Sequence, residues 1–194
     1  MNITDLPTVV DIHITSFPGF FLTFLGRDFL TLLYHNINSD EEGIVLVAGS
    51  GDAIYGFVAG VTNQSGFYAR LIKRQVWGFA LAGLNAAIKQ PKILPRLFRA
   101  LNRSSQSKGA ATKACLMSIA VRPNVEGRGM GRELVNAFCQ SMVERGVDAI
   151  SLTTDRDDNE RVNHFYLSLG FTLNRVFETP EGRTMNEYVK SLRM

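Results

Sequence analysis

Between residues 53 and 125 the sequence contains not one Asp or Glu. Eleven basic residues occupy the same stretch: Arg70, Lys73, Arg74, Lys89, Lys92, Arg96, Arg99, Arg103, Lys108, Lys113 and Arg122. The net charge is only +3, so the rest of the chain holds ten basic against eighteen acidic residues. A one-sign block of that length sets up a positive field over part of the surface and favours anionic partners. Cysteine is scarce as well. Cys115 and Cys139 are the only two, both in apolar surroundings, and their spacing suits neither a zinc site nor a redox pair. They read as reduced core thiols, and no metal is implied. A long hydrophobic run is also missing. Val76 to Ile88 is the longest apolar stretch, short of the roughly 20 residues a membrane-spanning helix needs. Asp5 and Asp11 interrupt any leader-like run at the N-terminus. The expectation is a cytoplasmic protein without a transmembrane segment. No repeat, low-complexity tract or motif for sequence-specific nucleic-acid binding is found. Arg96, Arg99 and Arg103 nevertheless fall on one helical stripe that suits a polyanion or a peripheral membrane contact.

What is present fits one domain of 194 residues, 45% apolar, with enough chain to bury a sizeable core. Asp5 to Phe17 has the spacing of a short helix, with Leu6, Val9, Val10 and Ile14 inward. After the Pro18-Gly19 turn a second apolar helix carries Phe21, Phe24, Leu25, Leu32 and Leu33. "GIVLVAGS" and "AIYGFVAGV" form a hairpin around Ser50-Gly51-Asp52. Residues 63 to 110 break this rhythm as a basic, helical insertion. It holds an apolar helix over Tyr68 to Ile88, a second helix after Pro95, and the connector "NRSSQSKGAA". Beyond it the order is a strand "ACLMSIAV", a helix from Gly129 to Arg145 and a strand "DAISLTT". A helix "DNERVNHFYLSLG", capped by Gly170, comes next. Two final strands flank Pro180-Glu181-Gly182. Leu134, Val135, Phe138, Met142 and Val143 should face inward from the first of those helices. The fold class is α/β (α+β), a mixed sheet with helices rather than a doubly wound one.

The densest glycine run, "AVRPNVEGRGMGREL", joins a strand to a helix. A dinucleotide fingerprint fails there, because the glycine required three places after Gly129 would fall on Arg132. A triphosphate loop needs Gly-Lys-Ser/Thr and meets Gly131-Arg132-Glu133. A strand, a proline-led turn and a helix N-terminus remain, an arrangement whose amides and dipole suit a pyrophosphate. Glycine lets a ligand approach the backbone there.

"LMSIAVRPNVEGRGMGRELV" and then "NERVNHFYLSLGF" together resemble the GNAT superfamily of acyl-CoA-dependent N-acetyltransferases. Its first signature matches at Val121, Pro123, Gly129 and Gly131, and its second at Asn159, Tyr166, Gly170 and Phe171. The resemblance covers residues 112 to 175. It implies a mostly antiparallel central sheet flanked by helices, with the insertion preceding the coenzyme-binding strand. It further implies acetyl-CoA as acyl donor and transfer of an acetyl group to a primary amine. Backbone of Ile119, Ala120 and Val121 would pair with pantetheine. Amides of Gly127, Arg128, Gly129, Met130, Gly131 and Arg132 would receive the pyrophosphate. Asn159 would touch the pantetheine arm, and Tyr166 would protonate the departing thiolate. Asn159, Val162, Asn163, Tyr166 and Gly170 share a helix face, which suits those roles.

Glu126 stands where the family has Gln or Arg. A carboxylate beside a pyrophosphate is expected to weaken coenzyme binding unless Arg122, Arg128 or Arg132 offsets it. The strand before the turn also carries no acid, so the general base is open among His13, His35, Asp155 and a bound water. Asp157, with Glu160 three residues on, reads as a helix N-cap. The acceptor is expected to be a small anionic amine, such as a nucleotide-linked amino sugar, and a homodimer is compatible with the sequence. A non-catalytic acyl-CoA-binding or scaffold module is the competing reading.

Overall fold

In the computed structural model, residues 1–51, 53–65, 67, 70–71, 78, 111–125 and 127–193 are described. Most of the apolar helix expected over Tyr68 to Ile88, the helix after Pro95, the connector before residue 111 and Glu126 lie outside them. The chain leaves the sheet and returns to it at one place. Gln64 donates its N–H to the Lys113 carbonyl at 2.8 Å, and its side-chain amide donates to the Thr112 carbonyl at 2.9 Å.

Helix α1 is Leu6–Ser16, α2 is Phe21–Phe24 and α3 is Gly26–Ser39. After them come β1 (Gly43–Ser50), β2 (Ala53–Val61), β3 (Ala114–Val121), α4 (Met130–Glu144) and β4 (Ala149–Asp155). Helix α5 (Glu160–Ser168) and the strands β5 (Thr172–Glu178) and β6 (Thr184–Ser191) complete the described chain. The six strands form one sheet in the order β1-β2-β3-β4-β6-β5. Every neighbouring pair is antiparallel except β3 and β4. This is the mixed, mostly antiparallel sheet that the family resemblance implied.

Two apolar clusters cover the two faces. Val9, Leu30, Tyr34, Phe57 and Ala59 lie on the side of α1 and α3. Val135, Phe138, Met142, Ile150, Leu152 and Tyr188 lie on the side of α4 and α5. Burying a side chain of this size is worth about 1.5–3 kcal/mol, so the sheet is clamped from both sides. The pairing of β2 with β3 has one irregularity. Between the pairs Gly60↔Leu116 and Ala59↔Ser118 the register shifts, leaving Met117 as the extra residue of a bulge in β3. The bulge reverses which side chains face which layer: Ala114 and Leu116 pack with α4, then Ile119 and Val121 do. Cys115, Met117 and Ala120 pack with α1 and α3.

Several local expectations need correction. The second helix is interrupted, because Gly26 has φ 86° and breaks the run into α2 and α3. On α1 the buried partners of Leu6, Val9 and Val10 are Ile12 and His13, with Ile14 only partly covered. Val143 and Val162 stand exposed at 44% and 37%, since each sits at the margin of its helix's apolar stripe. The N-cap of α5 is Asn159, not Asp157, because Asp158 adopts a left-handed φ of 53° and delays the helix by two residues.

Candidate active site at the splay between β3 and β4

Strands β3 and β4 pair only at Ala114↔Ile150 and Cys115↔Ser151 and then diverge. Along the rest of β3, one edge has no strand beside it among the described residues. Strand alternation decides which peptide groups face that gap. Arg122 donates its N–H to the Tyr55 carbonyl at 2.7 Å, so its groups turn toward β2. Those of Val121 and Ile119 therefore turn toward the gap, where an extended ligand could take them as a substitute strand. Ala120 lies between them and directs its own groups at β2. Its part in the site is to hold that spacing.

Past β3, Pro123–Val125 forms one turn of 3-10 helix, and Gly127 and Gly129 come after it with φ of 80° and 84°. Only glycine adopts that conformation without strain. A Cβ on either would meet nothing within 4 Å, so the space beside the turn is open. Gly129 is the N-cap of α4, and the Glu133 N–H donates to its carbonyl at 3.1 Å. The amides of Met130, Gly131 and Arg132 precede that first bond and have no intrahelical acceptor. They sit where the helix dipole places partial positive charge, a chemistry that fits a pyrophosphate. At Gly131 a Cβ would lie 3.4 Å from the Phe165 ring, an ordinary van der Waals contact, so the packing of α5 on α4 does not by itself demand glycine there. Arg132 donates to the Ser168 hydroxyl at 3.3 Å across the same helix pair. Arg128 is exposed.

The other wall is α5. The Asn159 amide donates to the Thr154 hydroxyl and to the Asp155 carbonyl, both at 2.9 Å, which ties the helix start to the end of β4. One turn on, the Asn163 amide donates to the carbonyls of Asp155, Arg156 and Asn159. Its oxygen accepts from the Asn186 amide at 2.9 Å and from the Tyr188 hydroxyl at 3.0 Å. This network fixes α5 against β4 and β6. One turn further, the Tyr166 ring is buried among Phe165, Phe171 and Tyr188. Its hydroxyl has no hydrogen-bond partner among the described residues. Burial pushes its pKa up, and the nearby Cys115 adds to the rise. The phenol therefore keeps its proton at neutral pH and is free to donate it. Cys115 is itself pushed up to about 12, mainly by burial and then by Glu187, so it is a thiol rather than a nucleophilic thiolate.

The three candidate bases fare differently. Asp155 is held by Arg183 in two parallel bonds, at 2.9 and 2.5 Å, so both its oxygens are engaged. That guanidinium also lies 5.5 Å from the centroid of the Phe20 ring, joining the β5–β6 hairpin to the loop after α1. His13 is buried, with Nδ1 2.7 Å from the Tyr34 hydroxyl and Nε2 without a partner. Burial lowers its pKa to about 4, so the ring is neutral at pH 7. His35 is half-buried on α3.

One charged group at the site is not among the residues expected from the sequence. Glu187 on β6 is only 3% exposed. Its Oε2 accepts from Arg175 Nε at 2.8 Å and from the Asn174 amide at 2.9 Å. Its Oε1 accepts one long bond, from the Ala111 N–H at 3.4 Å. The available signal was an acid in mid-strand between residues of a β-alternating pattern, where full burial demands partners. Those partners lie on β5 and at the end of the insertion, out of reach of any local pattern.

This geometry has counterparts among known proteins. A family model described as "Acetyltransferase (GNAT) family" matches residues 6–171. A mycothiol acetyltransferase of Propionibacterium freudenreichii subsp. shermanii is 44% identical over 55 residues, which is 28% of this chain and 17% of that protein. The chain thus matches less than a fifth of that relative's length. Among solved structures, an aminoglycoside 6'-N-acetyltransferase complexed with coenzyme A aligns over 100% of this chain and 93% of its own, with TM-score 0.64 and 15% identity. The ribosomal-protein-S18-alanine N-acetyltransferase of Escherichia coli aligns over 100% and 92%, with TM-score 0.59 and 16% identity. At such identities the likeness is one of fold.

Proposed function

The chain belongs to the GNAT family of acetyltransferases, and on that footing we propose that it transfers an acetyl group from acetyl-CoA to the primary amine of a small, negatively charged acceptor. The observation that carries the reading is the edge of β3, open among the described residues and leading into the glycine turn, with the Tyr166 hydroxyl on α5 engaged by no described residue. Acetyl-CoA supplies an activated thioester. Ile119 and Val121 offer peptide groups to align its extended arm, and the amides from Gly127 to Arg132 suit its pyrophosphate. Asn159, already anchored through its amide nitrogen, keeps its side-chain oxygen for the same arm. Tyr166 holds a proton at its hydroxyl for the leaving thiolate. Holding amine and thioester in register supplies most of the remaining rate.

A negatively charged acceptor, such as a nucleotide-linked amino sugar, is favoured by the acid-free block from residue 53 to 125. We place the whole chain in one acetyltransferase domain carrying a basic insertion at about residues 63 to 110. The test is turnover of acetyl-CoA against a panel of anionic, neutral and cationic amines and peptide N-termini, read by free-thiol release. Preferential turnover of anionic amines supports the reading. Turnover of none overturns it.

A further inference from the structure

Tyr166 reaches the splay from the face of α4 and α5. That leaves the face of α1 and α3 as the side from which an acceptor amine can reach a thioester held along β3. Alternation along β6 identifies what that second face presents. Asn186 and Tyr188 bond to Asn163 of α5, so Glu187 between them points the other way. Cys115 and Met117 on β3 face the same way as Glu187, toward the layer of α1 and α3. The register sets Glu187 opposite Thr153, and Thr153 lies two residues beyond Ser151, the last β4 residue to pair with β3. The carboxylate thus stands one strand away from the point where the sheet opens.

Resting on the acetyltransferase reading above, we propose that Glu187 is the group that draws in the acceptor's ammonium and takes its proton. The arrangement of its two oxygens supports this. Arg175 and Asn174 both hold Oε2 and so fix the carboxylate's orientation, while among the described residues Oε1 has only the long bond from Ala111. Oε1 is the oxygen with capacity to spare. Glu187 raises the pKa of Cys115 and Cys115 that of Tyr166, which puts the three groups within electrostatic reach of one another. Among the described residues, Asp155 is paired with Arg183 on that face, and Arg175 with Glu187 itself.

Oε1, directly or through one water, takes a proton from R–NH3⁺ and leaves R–NH2. The N–C bond forms and the C–S bond breaks. The new amide nitrogen sheds its second proton to water, and the thiolate takes the Tyr166 proton, which water replaces. Glu187 releases its own proton to water, and one proton is produced per turnover.

The experiment compares wild type and Glu187→Gln on the best amine from the panel, with kcat/KM measured from pH 6 to pH 10 and coenzyme A affinity measured separately. Gln keeps the shape and, with its oxygen in the place of Oε2, the bonds from Arg175 and Asn174, but it gives up the long Ala111 bond and cannot take a proton. The expected result is a loss of kcat/KM of about 10²-fold at pH 7. The loss should shrink as rising pH supplies neutral amine from solution, with coenzyme A affinity unchanged. An equal loss at every pH, or no loss, overturns the proposal and leaves Glu187 as an anchor for Arg175. If Glu187→Gln fails to bind coenzyme A, Glu187→Asp takes its place under the same criterion, since it keeps the charge but withdraws it by one methylene. An inactive wild type would indict the acetyltransferase reading itself, not the role of Glu187.

Discussion

At the scale of single residues, the site sets a proton-holding phenol apart from the rest of its helix's chemistry. Asn159 and Asn163 spend their amide protons on β4 carbonyls, whereas Tyr166 donates to no described residue. If that hydroxyl serves the leaving thiolate, Tyr166→Phe removes one proton donor and little packing, because the ring stays among Phe165, Phe171 and Tyr188. Turnover should fall by about 10²-fold with coenzyme A affinity unchanged in a direct binding assay. Unaltered turnover would remove Tyr166 from the chemistry. His13 acts on stability instead. Its pKa falls from 6.5 to about 4 on burial, so between those values the unfolded chain binds a proton that the folded chain refuses. Stability is therefore complete above pH 6.5 and is lost as pH falls toward 4, by about 3 kcal/mol if this residue acts alone. Urea midpoints at pH 7 and pH 4.5 should show the loss, and His13→Gln should narrow it. An equal pH dependence in the variant would place the acid sensitivity elsewhere.

At the scale of elements, strands and helices were legible wherever their signal was local. Strands "ACLMSIAV" and "DAISLTT" appear as β3 and β4 with nearly the boundaries their apolar runs indicate, and Gly146 and Gly170 both sit at positive φ after their helices. The start of α5 was misplaced by two residues because Asp158, not the sequence's capping pattern, sets the turn. That β3 offers its backbone to a ligand was legible only through the family resemblance, because parallel pairing that stops after two residue pairs leaves no periodicity in either strand. Glu187 was illegible for the same reason, its partners being Asn174, Arg175 and Ala111. The glycine turn shows how two similar residues can differ in kind. Gly129 is required by its φ of 84°, so Gly129→Ala should cost roughly 1–2 kcal/mol and weaken coenzyme A binding by shifting the amides that precede Glu133. Gly131→Ala adds a methyl 3.4 Å from the end of the Phe165 ring. That contact is an ordinary one, the gain in helix propensity is about 1 kcal/mol, and coenzyme A affinity should persist. Paired thermal melts and coenzyme titrations decide the matter. Equal effects on coenzyme affinity would mean that both residues face the ligand.

At the scale of the molecule, charge is the property that local structure does not use up. Asp155 and Glu187 are each paired with an arginine of the β5–β6 hairpin or its strands, so these two described acids leave no net charge there. The surplus cation therefore lies in the acid-free block between residues 53 and 125, against a remainder that carries a net −8. A field produced by a distributed block acts over distance, and salt screens it: the Debye length falls from about 10 Å at 0.1 M to about 3 Å at 1 M. A bidentate ion pair at contact distance is far less sensitive. With acetyl-CoA saturating, kcat/KM for an anionic amine should thus fall several-fold from about 0.05 to about 0.5 M salt, a steering effect. A neutral amine of the same size should show little change, and the ratio of the two isolates acceptor steering from any salt effect on the fold. If both amines respond alike, the basic block steers no acceptor, and the preference for negative charge must be abandoned while the acetyltransferase family membership stands.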